Sequence, residues 1–302
     1  MARLSFFLLF LNLAYSLEAI GNCTIEELKQ YISRKIEETV VEAYPFPHVV
    51  VSDILPPQVY EELVANWPTE DQFDLGTSTR RRLPVTGGCA EKRKLTKQQA
   101  ALWRYFGEQV VNEIIKPQLI KKISPFFSVK FSFLNGKELS EAVDRLEYFN
   151  CKMDGLNLDR NNLGRFVHVD HAYMLGAMLI YFAEDTNHVE YGTALYESVI
   201  DQQSIEFTRG EDNTFYVSKI LPYLPNTLVF FLQNPRGWHG VEAYFEHYNR
   251  KSYMAEIHLK PEVHEQIYLD KTRFNSNFCY ERDQSFLCLP PEPVSIDSSP
   301  DI

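Results

Sequence analysis

The sequence predicts a mainly β domain with a helical cover (α+β), built as a sandwich or jelly roll. Three observations carry this. The N-terminal part reads as amphipathic helices punctuated by proline. From about residue 128 the pattern changes to short β-rich runs separated by Gly, Asn, Asp and Pro turns. And 302 residues, 45% of them hydrophobic, suit one large domain or two small ones with ample material for a core.

Taken in order, "TIEELKQYISRKIEETVVEAY" is a helix. Thr24 and Glu27 have capping-box spacing, and Leu28, Ile32 and Ile36 recur on one face. "YPFPHVVVSDIL" is a strand after proline punctuation. "PPQVYEELVANWP" is a second helix, with proline at its first turn and another as its stop. Residues 69–96 are polar and rich in Gly, Thr and Arg, which reads as a long loop. "TKQQAALWRYFGEQVVNEIIKPQLIKKI" is a third helical region, interrupted or ended near Pro117. The β-rich runs begin with "SVKFSFLNG" and "AVDRLEYFNCKM", pass through "RFVHVDHAYML", "AMLIYFAED" and "NTLVFFLQN", and end with "KSYMAEIHL". The chain thus divides into a signal segment at 1–16, a helical lead-in at 17–127, a β core at 128–260 and an extension at 261–302. The Pro-, Ser- and acid-rich end of that extension reads as disordered. No internal repeat is visible.

The formal charge of −11 argues against a broad nucleic-acid surface. The run Arg80–Arg82 reads as a solvated loop, with a local anion or substrate contact as the alternative. "MARLSFFLLFLNLAYS" has the parts of a secretory signal peptide. Arg3 is the positive end, Phe6 to Leu13 a short apolar run, and Ala14 and Ser16 the small residues before cleavage. The run is too short to span a bilayer once mature, so no stable membrane span is expected; the alternative is an uncleaved anchor. Asn22-Cys23-Thr24 is a glycosylation sequon. Five cysteines (Cys23, Cys89, Cys151, Cys279, Cys288) in an oxidising lumen would form up to two disulfides and leave a thiol, and Cys279 with Cys288 could staple the C-terminal segment. The terminal "SPDI" is no KDEL-type signal. The expected location is the secretory pathway, in the ER lumen or secreted.

The chemistry concentrates in "GRFVHVDHAYMLGAML", residues 164–179. Residues two apart in a strand share a face, so His168 and Asp170 point together while His171 points away or lies past the strand end. An imidazole and a carboxylate on an inward face either pair or hold a cation. His239, at the end of "NTLVFFLQNPRGWHG", can complete a two-histidine, one-carboxylate facial triad, the donor set of non-haem Fe(II). Against this stands a surface ion pair plus a structural histidine. Arg250 and Ser252 again share a strand face. A guanidinium beside a hydroxyl receives a carboxylate well, and Lys251 between them faces the other side. Trp238 and Tyr173, flanking the proposed ligands, read as core or lid packing.

These residues resemble those of Fe(II)/2-oxoglutarate-dependent dioxygenases of the prolyl-4-hydroxylase-like group. The resemblance is carried by His168-x-Asp170, His239-Gly240-Val241 and Arg250-x-Ser252, with "TALYE", "NTLVFF" and the lead-in "PFPHVVVSDILPPQVYEELVANWP", over roughly residues 45–260. It implies a double-stranded β-helix. It implies Fe(II) on His168, Asp170 and His239, which would also be the catalytic centre. 2-Oxoglutarate would chelate the metal, its far carboxylate held by Arg250 and Ser252, with L-ascorbate as reductant. Decarboxylation would give succinate and CO2 and drive hydroxylation of a substrate. Because Asp170 is present, the open halide position of halogenating relatives is not expected. Tyr148 sits where relatives place a tyrosine on the 2-oxoglutarate carboxylate, although the segment from it to His168 is longer here. The implied substrate is a prolyl or other protein side chain. Two alternatives stay open: hydroxylation of a small metabolite, and a secreted, non-catalytic jelly-roll binding module. Oligomeric state is not legible.

Overall fold

A computed structural model describes residues 19–260 apart from 74, 78, 133, 135, 145–147, 151–153, 161–166, 205–206, 211 and 243–247. The signal segment, the extension and the Cys279/Cys288 pair lie outside the described residues, as does Cys151. Cys89 is disulfide-bonded and Cys23 is a buried free thiol.

The chain enters through a two-residue hairpin, β1 (Ala19–Ile20) and β2 (Cys23–Thr24). Gly21 and Asn22 both take positive φ, +57° and +60°, the backbone a two-residue turn of this kind requires. Helix α1 (Ile25–Glu38) follows at once. The Thr24 side chain accepts from Glu27 N while the Glu27 carboxylate accepts from Thr24 N, which closes the capping box. Leu28, Ile32 and Ile36 are its buried stripe, each contributing about 1.5–3 kcal/mol. Helix α2 (Pro57–Ala65) starts on proline and buries Val59 and Leu63. Helix α3 (Lys97–Tyr105) has a second capping box, Thr96 with Gln99.

Pro117 does not end the third helical region. From Phe106 to Ile115 the helix is π-type, Lys116 N–H reaches back to Val111, and helix α4 (Lys116–Ile123) begins with Pro117 in its first turn. A proline needs no N–H partner there, so the shifted hydrogen-bond register accommodates it.

Two antiparallel sheets form the core. The large one joins β3 (His48–Ser52), β4 (Leu75–Gly76), β5 (Arg80–Pro84), β6 (Tyr148–Asn150), β7 (Gly155–Asp159), β9 (Met174–Tyr181), β13 (Thr227–Leu232) and β15 (Arg250–Leu259). The small one joins β8 (His168–Val169), β10 (Thr193–Ser198), β11 (Thr208–Arg209), β12 (Phe215–Leu221) and β14 (His239–Gly240). Leaving out β11, the strands from β7 onward can be counted one to eight. The large sheet then runs 1-8-3-6 (β7-β15-β9-β13) and the small one 2-7-4-5 (β8-β14-β10-β12), the order of a double-stranded β-helix.

Strand alternation separates two cores. On β15, Tyr253, Ala255, Ile257 and Leu259 face the helices, while Arg250, Met254 and Glu256 face the space between the sheets. On β13, Leu228 and Phe230 pack toward the helices and Val229 and Phe231 inward. Trp67, Trp103, Phe106, Phe182 and Tyr253 interlock between helices and sheet, with Trp103 edge-on to Phe106 at 5.9 Å and Phe106 edge-on to Tyr253 at 5.2 Å.

Three expectations change. The polar stretch 69–96 is not one loop: it holds β4 and β5, and Arg80–Arg82 is a strand. Its side chains gave no hydrophobic alternation to read, because Arg80 and Arg82, which face the cavity, are as polar as Arg81 between them. "SVKFSFLNG" opens as a short helix, α5 (Phe127–Lys130), and in "AVDRLEYFNCKM" the strand begins only at Tyr148, after helix α6 (Gly136–Asp144). The lead-in therefore holds β4 and β5 besides the expected strand at His48–Ser52, and the division at 127/128 cuts α5. β3 and β5 are members of the large sheet, pairing β13 and β7.

Candidate metal centre and its cavity

His168 and His239 are opposite one another in the β8–β14 ladder, and Asp170 follows directly after β8. β10 holds β14 from the other side, with Leu195 opposite His239. His168 Nε2 lies 3.7 Å from Asp170 Oδ1, and His239 Nε2 3.4 Å from Asp170 Oδ2. One ligand atom from each residue falls within a 4.8 Å cluster. Two imidazoles and a carboxylate converging from one side form the donor set of a facial Fe(II) site, so the residues fit the metal. His239 Nδ1 sits 2.9 Å from the Gly237 carbonyl, which fixes Nδ1 as the donor and leaves Nε2 for a metal. Burial pushes the Asp170 carboxyl up from its usual range, with Glu256 adding to the shift and His239 opposing it. A carboxylate so placed favours a nearby cation.

Asp170 is braced from behind. Lys130 is buried at the end of α5, and its Nζ donates to the carbonyls of Ala172 (2.9 Å) and Met174 (2.7 Å) and to Gln233 Oε1 (2.5 Å). Gln233 Nε2 in turn donates to the Asp170 carbonyl at 2.9 Å. Burial lowers the Lys130 pKa well below the ordinary lysine value, against the pull of Asp170. Lys130 lies in "SVKFSFLNG", which reads as a β-rich run, and nothing in that run signals this brace.

The triad opens into a cavity of about 450 Å³ between the sheets. Arg250 lines the same cavity and is 2% exposed. Its Nη1 donates to Asp159 Oδ2 at 2.7 Å, its Nε to the Tyr191 carbonyl at 2.6 Å and its Nη2 to Tyr181 Oη at 3.3 Å. The guanidinium also lies over the rings of Tyr181 and Tyr223, at 5.0 and 5.7 Å. Ser252 is fully buried on the same face, and its Oγ has no partner among the described residues. A buried cation beside an unsatisfied hydroxyl fits a ligand carboxylate. Lys251 leaves on the opposite face to pair with Glu184.

Tyr148 is not brought to this group. It stands opposite Leu259, at the far end of β15, whereas Asp159 stands opposite Arg250. Roughly 30 Å of strand separates Tyr148 from Arg250 along β15. The long segment between Tyr148 and His168 makes room for β7, and β7 supplies the neighbour. Of the tyrosines that do touch Arg250, Tyr181 lies in the β-rich run "AMLIYFAED" and Tyr223 in the proline-flanked turn after "TFYVSKIL", and neither position carried a signal.

His171 also lines the cavity. It stacks on Tyr173 at 4.9 Å, and its Nδ1 accepts from Phe207 N at 3.3 Å. The Phe207 ring covers His168 at 5.5 Å. Trp238 is core, bonded through Nε1 to the Gln202 carbonyl and packed on Phe215. Arg80 and Arg82, two apart on β5, both line the cavity while Arg81 turns away to Glu70. The arginine run is thus a strand with two members facing the cavity rather than a solvated loop, and the strand period of two was the signal available for it.

No family model matches the sequence, and no curated protein matches it. Solved structures similar to it include a prolyl-4-hydroxylase from Pseudomonas putida, at 12% identity over 76% of this chain and 99% of the other, with TM-score 0.41. A prolyl hydroxylase from Trichoplax adhaerens, in complex with a hypoxia inducible factor oxygen degradation domain peptide fragment, is 12% identical over 82% and 94%, with TM-score 0.42. An oxidoreductase of the 2OG-Fe(II) oxygenase family from Burkholderia pseudomallei is 13% identical over 80% and 92%, with TM-score 0.29. The reading of the site rests on its own geometry.

Proposed function

We propose that this chain is an Fe(II)- and 2-oxoglutarate-dependent dioxygenase of the secretory pathway that hydroxylates a prolyl or other protein side chain, releasing succinate and CO2. One observation carries the proposal: the His168/Asp170/His239 cluster and the buried cation Arg250 line a single cavity. A metal chelator with a second carboxylate at its far end needs both features in one enclosure.

When bound, iron with its cosubstrate would supply the oxidising power that no protein side chain has. The chain's part is to hold and to exclude. His168, Asp170 and His239 would occupy one side of the metal and leave the rest to ligands. Arg250 and Ser252 would receive the far carboxylate. Phe231, Leu179, Met174 and Met254 line the walls and keep water from the reacting centre. Phe207, 45% exposed and lying over His168, lines the same cavity and would meet a substrate that approaches the metal from that side. The protein side chain as substrate and the secretory setting rest on the sequence resemblance and on the signal-like N-terminus.

The test is succinate release by purified protein given Fe(II), 2-oxoglutarate and ascorbate, followed by hydroxylation of peptide arrays against a metabolite panel. Metal binding with cosubstrate turnover and peptide hydroxylation supports the proposal. Turnover with metabolites alone moves it to a small-molecule hydroxylase. A protein that binds neither metal nor 2-oxoglutarate is a binding module, and the proposal fails.

A further inference from the structure

Arg80, Asp159 and Arg250 form one row across three strands. The register sets Arg80 of β5 opposite Asp159 of β7, and Asp159 opposite Arg250 of β15. Arg80 Nε lies 2.7 Å from Asp159 Oδ1, and Arg250 Nη1 lies 2.7 Å from Asp159 Oδ2. The Asp159 side chain is 1% exposed, so its charge has little water to screen it. Both arginines line the cavity and the carboxylate stands between them.

This row poses a charge problem. Arg250 with Asp159 alone is a neutral pair. An incoming ligand carboxylate would find a cation already matched and an anion beside it. A carboxylate at that spot would weaken the receptor the proposed function requires, unless a second cation cancels it. Arg80 is that cation, and it grips the other oxygen of Asp159. Arg250 gives single bonds to Asp159, Tyr191 and Tyr181, so its five N–H donors are not exhausted. With Arg80 in place the row carries one net positive charge, facing the cavity.

We infer that Arg80 is a positioning residue for dicarboxylate binding: it neutralises Asp159 and so leaves the charge of Arg250 for the far carboxylate of the cosubstrate. The inference rests on the proposed function and adds a residue from the N-terminal lead-in to the site. The action is through Asp159. It differs from direct contact in a way that a double substitution reveals, because removing Asp159's charge together with Arg80's leaves the row at the same net charge.

The experiment is calorimetric titration of 2-oxoglutarate into the full-length protein preloaded with Mn(II), without oxygen, so that binding is read without turnover. Arg80→Gln should weaken binding by roughly tenfold, because Asp159 is buried while the Arg80 side chain, 33% exposed, is partly screened by water. Arg80→Lys should hold within a few-fold, because charge is kept. Arg81→Gln removes a charge from the same run on the opposite face and should change nothing. The double variant Arg80→Gln/Asp159→Asn should return close to wild type. Mn(II) affinity should be equal in all, since the triad is untouched. If Arg80→Gln binds 2-oxoglutarate like wild type, or if the double variant stays as weak as the single one, the inference is overturned. Should Arg80→Gln not fold, the double variant decides alone: wild-type affinity supports the inference and a tenfold loss overturns it. Wild-type protein that takes Mn(II) but no 2-oxoglutarate sinks the proposed function, and this inference with it.

Discussion

His168 and His239 stand directly opposite each other in an antiparallel ladder, their ring centroids 4.3 Å apart. Two residues far apart in sequence are thereby held by backbone hydrogen bonds, and Asp170 needs only to follow His168 by two positions to join them. This predicts which substitutions abolish metal binding. His239→Ala and Asp170→Ala should each lower Mn(II) affinity by well over tenfold, because one of three ligands is lost. His171→Ala should keep it, because that ring stacks on Tyr173 and accepts from Phe207 N instead. Calorimetry with Mn(II) on the three variants decides; retention in Asp170→Ala with loss in His171→Ala would reassign the ligands.

Arg250→Ala should weaken 2-oxoglutarate on the order of a hundredfold, since a buried charge-assisted bond is lost and Asp159 keeps its charge. Ser252→Ala removes one neutral donor and should cost less. Lys251→Ala should be near neutral, because its amine is at the surface with Glu184. The apparent cosubstrate affinity in succinate release reads all three, and a larger loss in Lys251→Ala than in Arg250→Ala would put the carboxylate elsewhere.

Lys130→Met should destabilise the fold by about 1–3 kcal/mol, because the carbonyls of Ala172 and Met174 and the Gln233 amide lose their shared donor. Asp170 would lose its brace as well, so metal affinity should fall with stability. Thermal melting with and without Mn(II) measures both. A variant that melts earlier yet shows the full metal-induced stabilisation would separate the brace from the site.

His48 is fully buried, and burial lowers its pKa despite the bond to the Phe46 carbonyl; Lys219 lowers it further and Glu42 opposes. In the unfolded chain the ring titrates near 6.5. As pH falls through that value the unfolded state takes up a proton that the folded state refuses, so stability drops by at most roughly 1.4 kcal/mol per pH unit. The slope ends once pH passes below the depressed folded value. His48→Gln should flatten the melting-temperature profile between pH 6.5 and 5 relative to wild type; parallel profiles would assign the slope to other groups.

Asn22 sits exposed at the apex of the β1–β2 hairpin, which leaves its side chain open to an oligosaccharide transferase if the chain is exported. Protein secreted from eukaryotic cells should begin near residue 17 and lose mass on glycosidase treatment, with Asn22→Gln abolishing that loss. Intact-mass spectrometry checks both, and a cytosolic product retaining Met1 would contradict the expectation of export.

How much of this was legible in the chain depends on what each residue advertises. Arg250-x-Ser252 could be placed because the strand period of two is rigid and both residues lie within β15; His168 and Asp170 converge although Asp170 lies just past the end of β8. The helix after Thr24 carried a cap and a stripe. Arg80 and Arg82 obey the same period as the ligands, yet with a third arginine between them they show no change of polarity, so the strand read as loop. Lys130 went unread because its three acceptors come from segments some forty to a hundred residues away. Tyr148 failed by register: β7 intervenes, and sequence distance alone does not count strands.

The placement of β3 and β5 bears on how this protein can be dissected. Each flanks the eight-stranded jelly-roll set, β3 beside β13 and β5 beside β7. A fragment starting at residue 128 would keep His168, Asp170 and His239, the candidate metal ligands. It would also bare the hydrogen-bonding rims of β13 and β7, the former along a run, Thr227–Leu232, that is buried throughout. Unpaired apolar rims recruit other chains. Such a fragment should precipitate or form strand-exchanged multimers, and a minimal soluble version has to begin upstream of His48.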